Sequence, residues 1–210
     1  MRKPRFDIVG IMCILSIAAA MCLVSCAEKK DAFEPAPFAV NQDMIAAALD
    51  IPELTLSFSP PVGWNMLDSA QLDMFRRMVG GTDLSREFYP IFPIVVFADS
   101  VSGGMMYIAQ IDETETPLSQ ISRRYDDFLT PRLASSAMTK TNYIINDLKV
   151  YYYLLHSTRT VNYKLIGETS AGKRFLIEYV MPGPTYVTLE PAASSSMATL
   201  RSSTPISGNQ

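Results

Sequence analysis

Residues 142–181 read NYIINDLKVYYYLLHSTRTVNYKLIGETSAGKRFLIEYVM, and this stretch decides the fold. Its apolar runs predict strands over 142–147, 149–157, 161–168 and 173–181, with turns at Asn146-Asp147 and Ser170-Ala171-Gly172. Strands joined by tight turns run antiparallel. Phe175, Ile177 and Tyr179 alternate with Leu176 and Val180, so both faces of the sheet are apolar. Both then need covering by helices. The expected class is α+β, an α/β/α sandwich around a mostly antiparallel sheet.

Working outward, Ile94–Asp99 and Met105–Asp112 form a hairpin through the Gly-rich 100–104 turn. Asp68 and Gln71 make a capping box for a helix with Leu72, Phe75 and Val79 on one face, ended at Gly80. Thr116-Pro117 opens a second helix, with Leu118, Ile121, Tyr125 and Phe128 inward. A last helix is expected over about 191–201, with Ala193, Met197 and Leu200 inward. Asp43–Leu49 reads as a short helix, and Leu54, Leu56 and Phe58 as the inner side of a half-buried strand.

The N-terminus carries a different message. Arg2, Lys3 and Arg5 precede a run from Ile8 to Ala27 that has no charged residue, and the run ends Leu23-Val24-Ser25-Cys26. This resembles a bacterial lipoprotein signal peptide with its lipobox. The resemblance implies cleavage between Ser25 and Cys26, and a diacylglyceryl group on the Cys26 sulfur. Cys22 follows the bulky Met21, and Cys13 lies inside the apolar run, so neither fits the pattern. The alternative is an uncleaved helix over Ile8–Ala27, long enough to span a bilayer. Either way the positive end stays inside and the rest is exported. Ala27 after the cysteine favours the outer membrane if the cell has one. The expected organisation is a signal peptide over 1–25 and a lipidated N-terminus and tether over 26–41. A single domain over 42–201 and a disordered tail over 202–210 follow.

Composition excludes several functions. The only cysteines are Cys13, Cys22 and Cys26, and the only histidine is His156. A disulfide scaffold, a thiolate metal site and a cysteine nucleophile are excluded beyond residue 26. Without residues 1–25 the chain has 15 basic and 20 acidic residues, net −5. A phosphate-neutralising surface is basic, so nucleic acid is not expected as a partner.

Pro61-Val62-Gly63-Trp64 after a strand, then Phe175–Val180, Tyr186 and Ser194-Ser195-Ser196-Met197-Ala198-Thr199-Leu200, resemble Mog1/PsbP-like domains. The resemblance spans about 54–201, although Met78–Ile94 has no counterpart in it. It implies an αβα sandwich with a non-catalytic role in docking or assembly, and no shared catalytic residue.

Candidate chemistry is sparse. His156 beside Ser157 is the one possible imidazole base for a serine hydrolase. Lys140, Lys149, Lys164 and Lys173 are the possible lysine bases. Asp112-Glu113-Thr114-Glu115 offers oxygens for a cation but lacks ligand-spaced repetition. Arg76-Arg77 and Arg123-Arg124 suit either an acidic partner or a solvated helix face. Trp64 is expected as a core plug, and Tyr151-Tyr152-Tyr153 as a central strand showing rings to both faces. Met105, Met106 and the tyrosines could line a carrier pocket for a small apolar ligand. The leading expectation is a non-enzymatic, cofactor-free envelope lipoprotein. Acylated Cys26 would hold it to membrane lipid, and an envelope protein would be its partner.

Overall fold

The computed structural model describes residues 31–113, 115–133 and 137–203. The signal peptide, the lipobox and the alternative helix over Ile8–Ala27 lie outside these residues. Among the described residues, no helix is long and apolar enough to cross a membrane.

Eleven strands form among the described residues: β1 Glu34–Pro35, β2 Leu49–Ile51, β3 Leu56–Phe58, β4 Asn65–Met66, β5 Ile91–Ala98, β6 Met105–Ile111, β7 Ala137–Ile145, β8 Leu148–His156, β9 Thr160–Glu168, β10 Arg174–Pro182 and β11 Arg201–Ser202. The helices are α1 Ser69–Gly80, α2 Leu118–Leu129 and α3 Tyr186–Ala198. The large sheet has the order β1-β7-β8-β9-β10-β6-β5-β4. Its pairings are antiparallel except that of β1 with β7. A small sheet has the order β11-β3-β2.

The sheet is buried on both faces, as the alternation in β10 requires. On one face Phe75 and Val79 of α1 and Ile121, Tyr125 and Leu129 of α2 join a cluster with Tyr107, Ile166 and Leu176. On the other, Leu189, Ala193 and Met197 of α3 pack with Leu56, Leu165, Ile177 and Tyr179. The architecture is the expected α+β sandwich. The Asp68–Gln71 capping box is present, with both reciprocal bonds formed. Asn146 takes φ 53° in the two-residue turn from β7 to β8, a backbone state that Asn tolerates.

Five expectations are corrected. Asp43–Leu49 is not a helix. Only a 3₁₀ turn, Gln42–Met44, forms, because Ala46 N–H donates to Pro60 O and Val62 N–H donates to Met44 O. Those bonds pull the backbone into a bridge between Ile45 and Pro61. The strand around Leu54–Ser59 is buried on both faces, because β3 is the middle strand of its sheet and lies against α3. The last helix starts at Tyr186, and Pro191 lies inside it. The proline removes one bond, to the carbonyl of Val187, a residue open to water.

The tether expected over 26–41 does not extend to residue 41. From Ala32 onward the chain lies on the sheet: Phe33 packs edge-on to Tyr151, and Phe38 against Tyr143 and Tyr152. Asn41 is held by Ser195. Two aromatic residues among the prolines supply the burial that composition alone concealed. At the other end Ser202 lies in β11, and Ser203 N–H donates to Thr55 O, so the ordered domain extends past residue 201. Residues 204–210 of the expected tail lie outside the described residues.

Candidate functional site

The register of the large sheet lines up Lys140, Tyr153, Lys164, Glu178 and Tyr107 on β7, β8, β9, β10 and β6. This row crosses the centre of the sheet beneath α2. Lys164 Nζ lies 2.7 Å from Glu178 Oε2, and both side chains are about nine-tenths buried. Tyr107 OH donates to the same oxygen at 2.7 Å, and Asn162 Nδ2 donates to Oε1 at 3.2 Å. The Glu178 carboxylate thus accepts three hydrogen bonds, and burial without them would be costly.

Helix α2 closes over the row. Lys140 Nζ bonds Asp126 Oδ2 at 2.6 Å and sits above the rings of Tyr151 and Tyr153. Tyr153 OH and Ser122 Oγ are 2.8 Å apart. Tyr125 OH is buried with no hydrogen-bond partner, and Asn162 Oδ1 likewise. Burial opposes charge on Lys164, but Glu178 and Tyr125 beside it prevail and hold its pKa above the ordinary lysine value. Burial, then the Glu178 charge, drives Tyr107 up, and burial pushes Tyr125 up to about 12. A lysine held protonated in this way does not take a proton from a serine hydroxyl. The row locks α2 to the sheet.

A cavity of about 380 Å³ opens at one end of this layer. Phe33, Leu118 and Tyr151 give it an apolar side, and Asp147, Lys149, Glu168 and Ser170 a polar rim. Glu168 is tied to Arg174 at 2.6 Å, and Arg174 also donates to the carbonyls of Gly172 and Thr116. A second cavity, about 290 Å³, lies between β3, the 42–48 segment and the end of α3.

The structure separates the residues singled out in the sequence. His156 is exposed at the end of β8, edge-on to Tyr186 at 5.9 Å. Ser157 Oγ, beside it, is bonded to Thr160. Glu113 accepts from the backbone N–H groups of Glu115 and Thr116, and those bonds lower its pKa. Thr114 lies outside the described residues. Among the described residues, no three His, Cys, Asp or Glu side chains gather to hold a metal. Arg76 is bonded to Pro93 O and Asp73, while Arg124 donates to Glu87 O and lies over the Tyr89 ring. Trp64 is 7% exposed and packs near Tyr179, the expected core plug. Tyr151 and Tyr153 face one cluster and Tyr152 the other, as the strand period requires. Met105 and Met106 sit in opposite clusters and line neither cavity.

Sequence reading missed the Lys164–Glu178 pair. The available signal was charge at inward positions, since Lys164 shares a face with Ile166, and Glu178 with Leu176. It also missed what the serines of α3 do. Ser195 Oγ accepts from Asn41 N–H at 2.6 Å, Ser196 Oγ donates to Ser59 O at 2.6 Å, and Thr199 Oγ1 accepts from Ser59 N–H at 2.8 Å. These hydroxyls pin the end of β3 and the cap of the Gln42–Met44 turn to the helix.

No family model matches the chain, and no curated protein matches it. Among solved structures, it is similar to the solution structure of cyanobacterial PsbP (CyanoP) from Synechocystis sp. PCC 6803. That similarity has 11% sequence identity and a TM-score of 0.46, covering 80% of this chain and 97% of that one. No residue role is carried over from it.

Proposed function

We propose that this chain is an exported lipoprotein, acylated on Cys26, whose domain is a non-catalytic binding or assembly module at a membrane of the cell envelope. The observation that carries the reading is the basic start, uncharged run and Leu23-Val24-Ser25-Cys26 end of the N-terminus. The docked N-terminal segment supports it. With Ala32 already against the sheet, only five residues separate the domain from Cys26, six Cα–Cα steps that reach roughly 20 Å. A diacylated cysteine holds stably to a bilayer, since each buried CH₂ contributes about 0.8 kcal/mol. Three of the catalytic candidates are committed elsewhere: Lys164 to Glu178, Lys140 to Asp126, and Ser157 to Thr160.

Cys26→Ser tests the anchor. The variant is expected to lose fatty-acid labelling and to leave the membrane fraction or stay unprocessed. Labelling and fractionation like the wild type would remove the lipobox from the reading.

The cavity beside Phe33 favours a second reading, a carrier of a small, mainly apolar ligand, because its volume falls within the range of ligand pockets. Native mass spectrometry of the purified protein separates the two. A co-purifying small molecule selects the carrier, and crosslinking of the anchored protein to an envelope protein selects the docking module.

A further inference from the structure

We propose that the cavity between β3, the 42–48 segment and the end of α3 binds a monocarboxylate on a compact apolar stem. Arg201 receives the charge, and Ser57 and Ser59 supply hydrogen bonds. This cavity is not the one beside Phe33, and the proposal does not depend on the anchor at Cys26.

Two unused hydroxyls carry the proposal. Ser57 and Ser59 are 3% and 7% exposed, and both line the cavity. They lie two residues apart on an extended segment, so they face the same side. Their backbones are fixed. Ser57 pairs with Arg201 on one flank and Asp50 on the other, and the N–H and carbonyl of Ser59 are taken by Thr199 and Ser196. Neither side-chain oxygen has a hydrogen-bond partner among the described residues. The other buried serines among those residues, Ser122, Ser195 and Ser196, are all bonded. A buried hydroxyl without a partner is destabilising, and folded proteins keep few of them. Two on one segment, both turned into the same cavity, fit a polar guest.

Charge sets the sign of that guest. Arg201 stands opposite Ser57 in the register and is the one charged side chain lining the cavity among the described residues. It forms no ion pair with any of them. Asp50 does not line the cavity, and Asp147 accepts from Ser202 N–H. One cation with carboxylates close by suits a single negative charge better than the double charge of a phosphate. The guanidinium fork matches a carboxylate in two parallel bonds. Phe58 and Ile45 give the stem an apolar wall, and a volume of about 290 Å³ suits a compact acid.

The frame is already set. Asn146 Nδ2 donates to the carbonyls of Ala198 and Leu200, Ser202 N–H to Asp147 and Ser203 N–H to Thr55 O. These bonds hold β11, and the backbone of Arg201 with it, beside β3, so binding orders little of the protein.

The test uses the full chain in detergent micelles, with benzoate as the probe and NMR saturation transfer as the readout. Saturable transfer to benzoate, above that from empty micelles, is expected. Benzamide has the same ring without the charge and should receive none. Arg201→Gln is expected to weaken binding about tenfold or more, and Ser57→Ala ~3-fold. Urea midpoints separate binding from folding. Ser57→Ala removes a hydroxyl that bonds no protein group, so its midpoint should hold or rise while its affinity for benzoate falls. Competition identifies the source of the carboxylate. Displacement of benzoate by isovalerate alone marks a free acid, and displacement by acetyl-Ala-Val as well adds a peptide C-terminus; both results support the site. No saturable transfer to benzoate, equal transfer to benzamide, or an affinity unchanged in folded Arg201→Gln would overturn it and leave the anchor reading standing.

Discussion

Glu178 shows how one residue fixes a layer. Its carboxylate takes Lys164, Tyr107 and Asn162 together inside an apolar cluster. Removing one member of such a pair leaves a buried charge, at a cost of about 3–5 kcal/mol, whereas removing both costs far less. Glu178→Leu is therefore expected to lower unfolding stability by about 3–5 kcal/mol in urea titrations. The double variant Glu178→Leu, Lys164→Met should recover most of the loss. Equal losses in the single and double variants would show that the two residues are uncoupled. None of this is visible along the chain, where Lys164 and Glu178 read as the polar partners of alternating strands. Only the β9–β10 register sets them opposite each other. Trp64 is the contrasting case, since a lone indole after a Pro-Gly turn is legible as a plug.

At the scale of elements, α3 is held by hydroxyls as much as by its apolar face. Ser196 is fully buried and serves the Ser59 carbonyl and Tyr179 OH. Ser196→Ala leaves that carbonyl unpaired and is expected to destabilise the domain by about 1–3 kcal/mol. Ser194→Ala removes only a bond to Glu190 on the same helix and should change stability by ~0.5 kcal/mol or less. Chemical denaturation of the two variants measures the difference; similar losses would mean that the serines act through helix propensity and not through the strand. The capping box of α1 and the Asn146-Asp147 turn were readable because each is closed by neighbours in sequence. The docking of 32–41 was not, because its partners, Tyr143, Tyr151, Tyr152 and Ser195, lie more than a hundred residues away.

For the molecule as a whole, the tyrosine-rich sheet sets an alkaline limit. Burial raises Tyr107, Tyr152, Tyr153, Tyr163 and Tyr179 above the ordinary phenol range and Tyr125 to about 12, and Lys164 is also raised. Unfolded, these groups titrate near pH ~10. Above that pH the unfolded chain has released protons that the folded chain still holds. Stability is therefore full below about pH 10 and falls as pH rises, by ~1.4 kcal/mol per pH unit for each such group. Urea midpoints are expected to hold up to about pH 9 and then drop steeply, with tyrosinate absorbance rising together with unfolding. A smooth rise of that absorbance near pH 10 in a still-folded domain would contradict the burial.

The sequence by itself determined the α+β class, the antiparallel core of the sheet, the capping box of α1 and the Asn146-Asp147 turn, and it named Cys26 as the candidate anchor. These depend on period, on turn chemistry and on contiguous apolar length, all of which are local. Tertiary structure alone decided which inward polar residues meet and where the segment from Ala32 to Asn41 lies. Those follow from strand register and from the order in which strands enter the sheet. A register shift of one residue would send Lys164 and Glu178 to opposite faces, and no local signal in either strand fixes that choice.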